Sequence, residues 1–179
     1  HPKMKLLFKD MSHLARTTAL DVKSGSQVIV PFVHVFVGGF VCVDRSSLNV
    51  RRATHKGEVK SGEGQTGSSF SMTAKYIEHA HPDLVLLENV PGLLSGSEGE
   101  SDADFIVEWM STVGYQCQVH RVQAEAYGSP NCRDRVFFIA FREPVGDKFG
   151  RLAATLRDIK IPSCPAFRVV SASQALKAQ

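Results

Sequence analysis

Pro82-Asp83-Leu84-Val85-Leu86-Leu87-Glu88-Asn89-Val90-Pro91-Gly92 is the stretch on which the reading of this chain turns. Four consecutive apolar residues between proline-bounded turns are too short a run for a typical helix and fit a buried strand. Upstream, Met72, Ala74, Tyr76, Ile77 and Ala80 follow a helical pattern behind the cap candidates Ser68 and Ser69, and the pattern stops before Pro82. A helix running directly into a buried strand is half of a βαβ unit. The other half is residues 28–37, rich in β-branched and aromatic residues and closing on Gly38-Gly39, which reads as a second buried strand ending in a tight loop. Residues 28–37 and 84–87 are therefore expected as adjacent central strands of an α/β sheet.

Downstream, Pro91-Gly92 turns the chain away. The acidic residues 98–104 suit the positive end of a helix dipole and open a helix through about Val113, which Gly114 ends. Residues 115–122 and 135–141 read as strands of a hairpin, joined by a loop containing Tyr127-Gly128-Ser129-Pro130 and two arginines. Residues 50–69, rich in Arg, Lys, Gly and Ser, are expected to be mobile and are a candidate lid. The compact unit is placed at residues 4–142, with 143–179 a weakly structured tail or the start of a further region.

The chain has 179 residues, 43% of them hydrophobic and 22% charged, which suits one globular domain and excludes disorder, collagen-like repeats and a disulfide-dense miniprotein. A formal net charge of +3 permits a polyanionic partner without requiring one. The most apolar run, residues 28–43, is interrupted by Pro31, His34, Gly38 and Gly39, so no membrane helix is expected. Cys42, Cys117, Cys132 and Cys164 form no C-x-x-C pair, which favours free thiols over a zinc site. The opening His-Pro-Lys-Met-Lys has no apolar segment behind it and reads as neither a signal peptide nor an intact N-terminus, so a truncated chain is expected.

Three segments near strand ends carry the candidate chemistry, where an open α/β sheet places its ligands. In Gly38-Gly39-Phe40-Val41-Cys42-Val43-Asp44-Arg45-Ser46 a cysteine on a glycine-rich turn can present its sulfur to a ligand. Arg45 favours the thiolate and Asp44 opposes it; read alone, such a cysteine is more often a small buried hydrophobe. Glu88, behind four apolar residues, stands at the edge of a dry core, where desolvation raises a carboxyl's pKa and suits it to proton donation. The competing reading is a solvated strand end or a helix-capping partner. Arg133 and Arg135, two residues apart on an extended segment, point the same way and suit a paired grip on a phosphate or base carbonyl. The alternative is a surface salt bridge with Asp134 or Glu143.

Taken in order, these segments resemble the cytosine-C5 methyltransferase family. Glu88-Asn89-Val90 is similar to its Glu-Asn-Val motif, and residues 130–136 to its Pro-Gln-x-Arg-x-Arg segment with Asn131 in place of Gln. Residues 62–70 are similar to the stretch leading into the helix before Glu-Asn-Val, and Asp10 resembles the acidic residue that touches the cofactor adenine. The resemblance implies a partial Rossmann-like, S-adenosylmethionine-dependent methyltransferase sheet with a C-terminal β-hairpin. It implies methyl transfer to C5 of cytosine in DNA, with Cys42, Glu88, Arg133 and Arg135 as catalytic residues, and a flipped-out target base. It further implies substrate contacts at Phe40, Ser46 and Asn89, with Ser46 and Arg45 placed to meet the phosphate of the flipped nucleotide. Cofactor contacts fall at Asp10 and Gly39. A DNA partner implies the nucleus in a eukaryote and the cytoplasm otherwise. RNA is the alternative substrate, because the segment is also similar to the tRNA branch, and a catalytically dead nucleic-acid or protein-binding remnant is the other alternative. The family's usual Pro-Cys-Gln is Val41-Cys42-Val43 here, and its Phe-x-Gly-x-Gly loop does not occur before Met4, so a piece of a longer enzyme is expected.

Overall fold

A computed structural model describes residues 5–42, 58–62, 64–96 and 101–143. Its elements run β1 (Thr18–Asp21), β2 (Ser26–Ile29), β3 (Val35–Gly38), α1 (Glu58–Ser61), α2 (Gly64–Ala80), β4 (Leu84–Asn89), α3 (Asp102–Thr112), β5 (Tyr115–Gln123) and β6 (Asp134–Arg142). Four strands form a sheet in the order β3-β4-β6-β5, and β1 and β2 form a separate two-stranded sheet. β3 lies parallel to β4, reached through α2, whereas β6 is antiparallel to both β4 and β5. No described helix is long and apolar enough to cross a membrane.

β4 alternates. Val85, Leu87 and Asn89 are buried, while Leu84, Leu86 and Glu88 are half-buried on the other face. The buried set pairs with Ala140, Phe138 and Val136 of β6, so one face of the sheet is continuous across the two strands. Phe70, Ala74 and Ile77 of α2 join these residues in the core, with Ala103, Ile106 and Met110 of α3. These positions recur at three- and four-residue intervals, which places them on one stripe of each helix.

α3 begins where its sequence lets it. Ser101 accepts from the Asp104 backbone N–H, and the Asp104 carboxylate accepts in return from the Ser101 N–H, a capping box. Gly114, with φ +85°, then takes the left-handed conformation that ends the helix. At the end of α2 that conformation falls to His81, with φ +44°, whose N–H still reaches the Ile77 carbonyl.

Several expectations hold. Helix α2 stops before Pro82, Leu84 opens a strand, and residues 115–123 and 134–142 pair as a hairpin in full register. Three do not. Residues 28–37 form no single buried strand: β2 pairs with β1, β3 pairs with β4, and Ile29 and Val37 are 73% and 65% exposed. Pro31, which carries no N–H, lies in the gap between them. β3 is adjacent to β4 as expected but stands at the edge of the described sheet rather than its centre. Ser68 and Ser69 are not caps either, because α2 begins at Gly64; their hydroxyls donate back to the Gln65 and Thr66 carbonyls three residues earlier. Within the proposed mobile stretch, residues 58–61 and 64–69 are helical, and residues 50–57 lie outside the described set. The tail assigned to 143–179 lies outside it as well, apart from Glu143.

The β1–β2 hairpin closes on Asp21. Its Oδ1 accepts from the backbone N–H of Leu7 and Lys23, and its Oδ2 accepts from the N–H and hydroxyl of Ser24. These donors, the Leu7 N–H first among them, hold the carboxyl down at about 2, against an ordinary 3.8.

Three outcomes follow from this packing. Phe138→Ala, at a fully buried position, is expected to cost about 3–5 kcal/mol in chemical denaturation. His81→Gly is expected to raise stability by up to about 1 kcal/mol, read the same way, because glycine adopts positive φ without Cβ strain. Asp21 stabilises the hairpin above pH 3.8, and that contribution is lost as pH falls toward 2. Amide exchange at Leu7 and Ser24 should accelerate across this window, and Asp21→Asn should remove the pH dependence.

Candidate active site

Because β6 runs against β4, the start of β6 lies beside the end of β4, with Glu88 opposite Phe137 and Asn89 opposite Val136. Because β3 runs with β4, the loop after Gly38 leaves from the same end. The three sequence segments are thus gathered at one edge of the sheet by strand direction alone.

Glu88 is the centre of the cluster. Its Oε1 accepts from Arg133 Nη2 at 2.8 Å and lies 2.8 Å from Arg135 Nε. The two arginines do point the same way, as their spacing predicts, and they converge on one carboxylate oxygen. The other oxygen, Oε2, lies on the side of the cysteine loop, 3.8 Å from where a Cβ on Gly39 would stand. The dry environment expected for Glu88 is absent: its side chain is 38% exposed and charged groups face it. The reason is alternation, since the four apolar residues before it divide between two faces and Glu88 falls on the more open one. The salt bridge expected with Asp134 or Glu143 is replaced by this one, and Asp134 pairs with Arg121 instead.

Asn89, on the core face, is buried and holds the cysteine loop. Its Nδ2 donates to the Phe40 carbonyl at 3.0 Å, and its Oδ1 accepts from the Val90 N–H at 2.8 Å. Gly39 lets the loop approach, because a Cβ there would meet the Glu88 carbonyl oxygen at 2.9 Å. The Phe40 ring packs edge-on against Phe70 of α2, with centroids 5.1 Å apart. The hydroxyl of Ser69, also on α2, shares its one proton between the Thr66 carbonyl at 3.1 Å and the Val41 carbonyl at 3.2 Å. Cys42 follows directly and is buried in the core cluster rather than turned to solvent.

The other described cysteines differ from it: Cys132 is exposed, and burial pushes the half-buried Cys117 thiol up to about 12. Asp10 lies apart from the Glu88 cluster, at the start of a 3-10 turn (Met11–His13) that packs on α2, and its Oδ1 accepts from the Ser12 N–H. Ser46, with Asp44 and Arg45, lies outside the described residues. A depression of about 520 Å³ beside the hairpin, lined in part by His13, Arg16, Thr18 and Gln27, shares no residue with the cluster. The contacts that Ser69 and Phe70 make with the cysteine loop were not legible in the sequence. They depend on how α2 crosses the strand ends, which its own periodicity does not specify.

A cysteine loop tethered at Phe40 through Asn89 and lying at Gly39 against a carboxylate gripped by two arginines matches the order of motifs in the sequence. The family whose model fits residues 10–170 is the C-5 cytosine-specific DNA methylase. This chain belongs to that family. It is 27% identical over 160 residues to a DNA (cytosine-5-)-methyltransferase of Cryptococcus neoformans, covering 88% of this chain and 6% of the relative. It is 30% identical over 126 residues to a type II methyltransferase of Brevibacillus brevis, covering 69% of this chain and 31% of that protein. Among solved structures, the S. pombe Dnmt2 methyltransferase aligns with 17% identity and a TM-score of 0.42, over 64% of this chain and 32% of its own. The chain therefore spans less than a third of the length of either curated relative.

Asn89→Ala is expected to lower stability by about 1–3 kcal/mol in a denaturant titration, because it strips the donor from a buried carbonyl. Gly39→Ala should do the same by forcing the loop off the Glu88 carbonyl, with a cost of about 1–3 kcal/mol.

Proposed function

We propose that this chain carries the nucleophile and base-binding part of an enzyme that methylates C5 of cytosine in DNA. The observation that carries the reading is the Glu88 carboxylate, gripped on Oε1 by two arginines while Oε2 lies toward a loop that Asn89 ties down one residue pair before Cys42.

Each group has a task that its position suits. Cytosine C5 is a poor nucleophile until an addition at C6 activates it. The Cys42 thiolate adds to C6, forming an S–C6 bond, and the C5=C6 electron pair becomes available at C5. Glu88 Oε2 holds the proton at N3 of the base, which neutralises the charge that the addition develops. Arg133 and Arg135 fix the carboxylate and offer remaining N–H groups to the base carbonyl. Once C5 carries the methyl group that the cofactor would supply, its proton passes to water, the C5–H electrons re-form the C5=C6 bond, and the S–C6 bond breaks to restore the thiolate and the aromatic base. A base inside a duplex hides both C6 and its pairing edge, so it must be flipped out at a cost of a few kcal/mol. Cys42 is buried, so entry of the base also has to uncover its sulfur. Ser46 and Arg45 are assigned to the phosphate of the flipped nucleotide.

S-adenosylmethionine, when bound, supplies the methyl group. The residues present fit one edge of it. Asp10 is an exposed carboxylate of the right chemistry for an adenine amino group, and Gly39 keeps the loop backbone bare beside Glu88.

The test is covalent trapping. The protein is incubated with S-adenosylmethionine and an oligonucleotide carrying 5-fluorocytosine, whose fluorine blocks release from Cys42. A denaturation-resistant adduct is expected, lost in Cys42→Ala and formed about 100-fold more slowly or worse in Glu88→Gln. An adduct that persists in Cys42→Ala removes Cys42 from the role. Methyl transfer to tRNA in preference to DNA would move the substrate to RNA.

A further inference from the structure

The grip of Arg133 and Arg135 on Glu88 has a counterpart on the opposite face of the sheet. Asp134, the residue between the two arginines, is turned away from Glu88 and held by Arg121 of β5. Arg121 Nε donates to both carboxylate oxygens, at 3.1 and 3.0 Å, and Nη2 donates again to Oδ2. Hairpin register places Arg121 opposite Val136 and Gln123 opposite Asp134, so the pair spans the diagonal on one face. We propose that Arg121 is a positioning residue, whose fork on Asp134 keeps Arg133 and Arg135 facing Glu88; this rests on the reading of Glu88 as the base-binding carboxylate.

In an extended segment neighbouring side chains point to opposite faces, so fixing the middle residue of Arg-Asp-Arg fixes both flanks. If this segment turned over, Asp134 would face Glu88, carboxylate against carboxylate, and both arginines would leave the site. The backbone is secured to match: the Ala124 N–H donates to the Arg133 carbonyl at 2.8 Å, and Arg135 Nη1 donates to the Asp134 carbonyl at 2.7 Å. Arg121 is 55% exposed, and an ion pair that exposed contributes little to global stability. Its fork geometry, with two donors on one carboxylate, supplies direction instead. The hydrogen bond from Arg121 holds the Asp134 carboxyl below the usual carboxylate range, so the pair is intact at neutral pH.

The experiment reads the guanidinium of Arg133 by NMR of the full chain with labelled arginine, following hydrogen exchange of the Nη2 group that donates to Glu88. In Arg121→Gln that exchange is expected to accelerate at least tenfold while the melting temperature stays within about 2 °C of wild type. The charge-swapped double variant Arg121→Asp, Asp134→Arg should restore most of the protection, and Arg121→Lys, which keeps the charge without the fork, only part of it. Unchanged exchange in Arg121→Gln overturns the proposal, as does acceleration that the swap leaves unrepaired. If Arg121→Gln does not fold, Arg121→Lys against the swapped pair decides the same question. Trapping with the 5-fluorocytosine oligonucleotide separates this proposal from the reading beneath it. A wild-type protein that forms no adduct yet shows the exchange pattern keeps Arg121 in its role and removes the base-binding one.

Discussion

One strand, β4, sets the constraints that the rest of the chain obeys. It is paired on both sides, parallel to β3 and antiparallel to β6, so its backbone groups are satisfied within the sheet. Its side chains must then alternate. Val85, Leu87 and Asn89 go to the core, and Leu84, Leu86 and Glu88 to the other face. Asn89 thus becomes a buried amide that has to find partners, and it finds one in the Phe40 carbonyl of the cysteine loop. Glu88, one residue earlier, becomes a half-exposed carboxylate that two arginines can reach. The pleat sends these sequence neighbours to opposite sides, Asn89 to tether the cysteine loop and Glu88 to meet the arginines.

Strand direction supplies the second constraint. Had β6 run parallel to β4, Arg133 and Arg135 would lie at the far end of the sheet from Glu88. The antiparallel return through β5 brings them back to the end where β3 releases the cysteine loop. Two guanidiniums share one carboxylate oxygen there, so the cluster of Glu88, Arg133 and Arg135 holds one positive charge in excess. The helices α2 and α3 cover the core face and fix where the strand ends stand. Through Ser69 and Phe70, α2 also touches the cysteine loop directly.

The misreadings share a cause. Residues 28–37 look like one apolar strand because composition reports burial as an average, while Pro31 and pairing partners decide where a strand stops. Ser68 and Ser69 look like caps because serine favours helix starts, yet their hydroxyls are satisfied by carbonyls one turn back and the helix runs through them. Glu88 looks desolvated because four apolar residues precede it, but only alternate ones accompany it on its own face. In each case a partner strand or a preceding turn overrides the local pattern.

The sequence by itself determined that a helix stops before Pro82, that a strand follows at Leu84, that a helix ends at Gly114 and that a terminal hairpin closes the described chain, and it singled out three segments as candidates for the chemistry. Those properties follow from local forces: hydrophobic period, proline and glycine punctuation, and the one-way pointing of residues two apart in an extended chain. The order of its short motifs also pointed to the family whose model the chain matches. Only the tertiary structure decided that both arginines take the same oxygen of Glu88, that Asn89 holds the loop of Cys42, and that Asp134 faces Arg121. These contacts join residues 13 to 49 positions apart, and they exist because strand pairing and side-chain alternation bring distant segments to one sheet end, which no window of sequence contains.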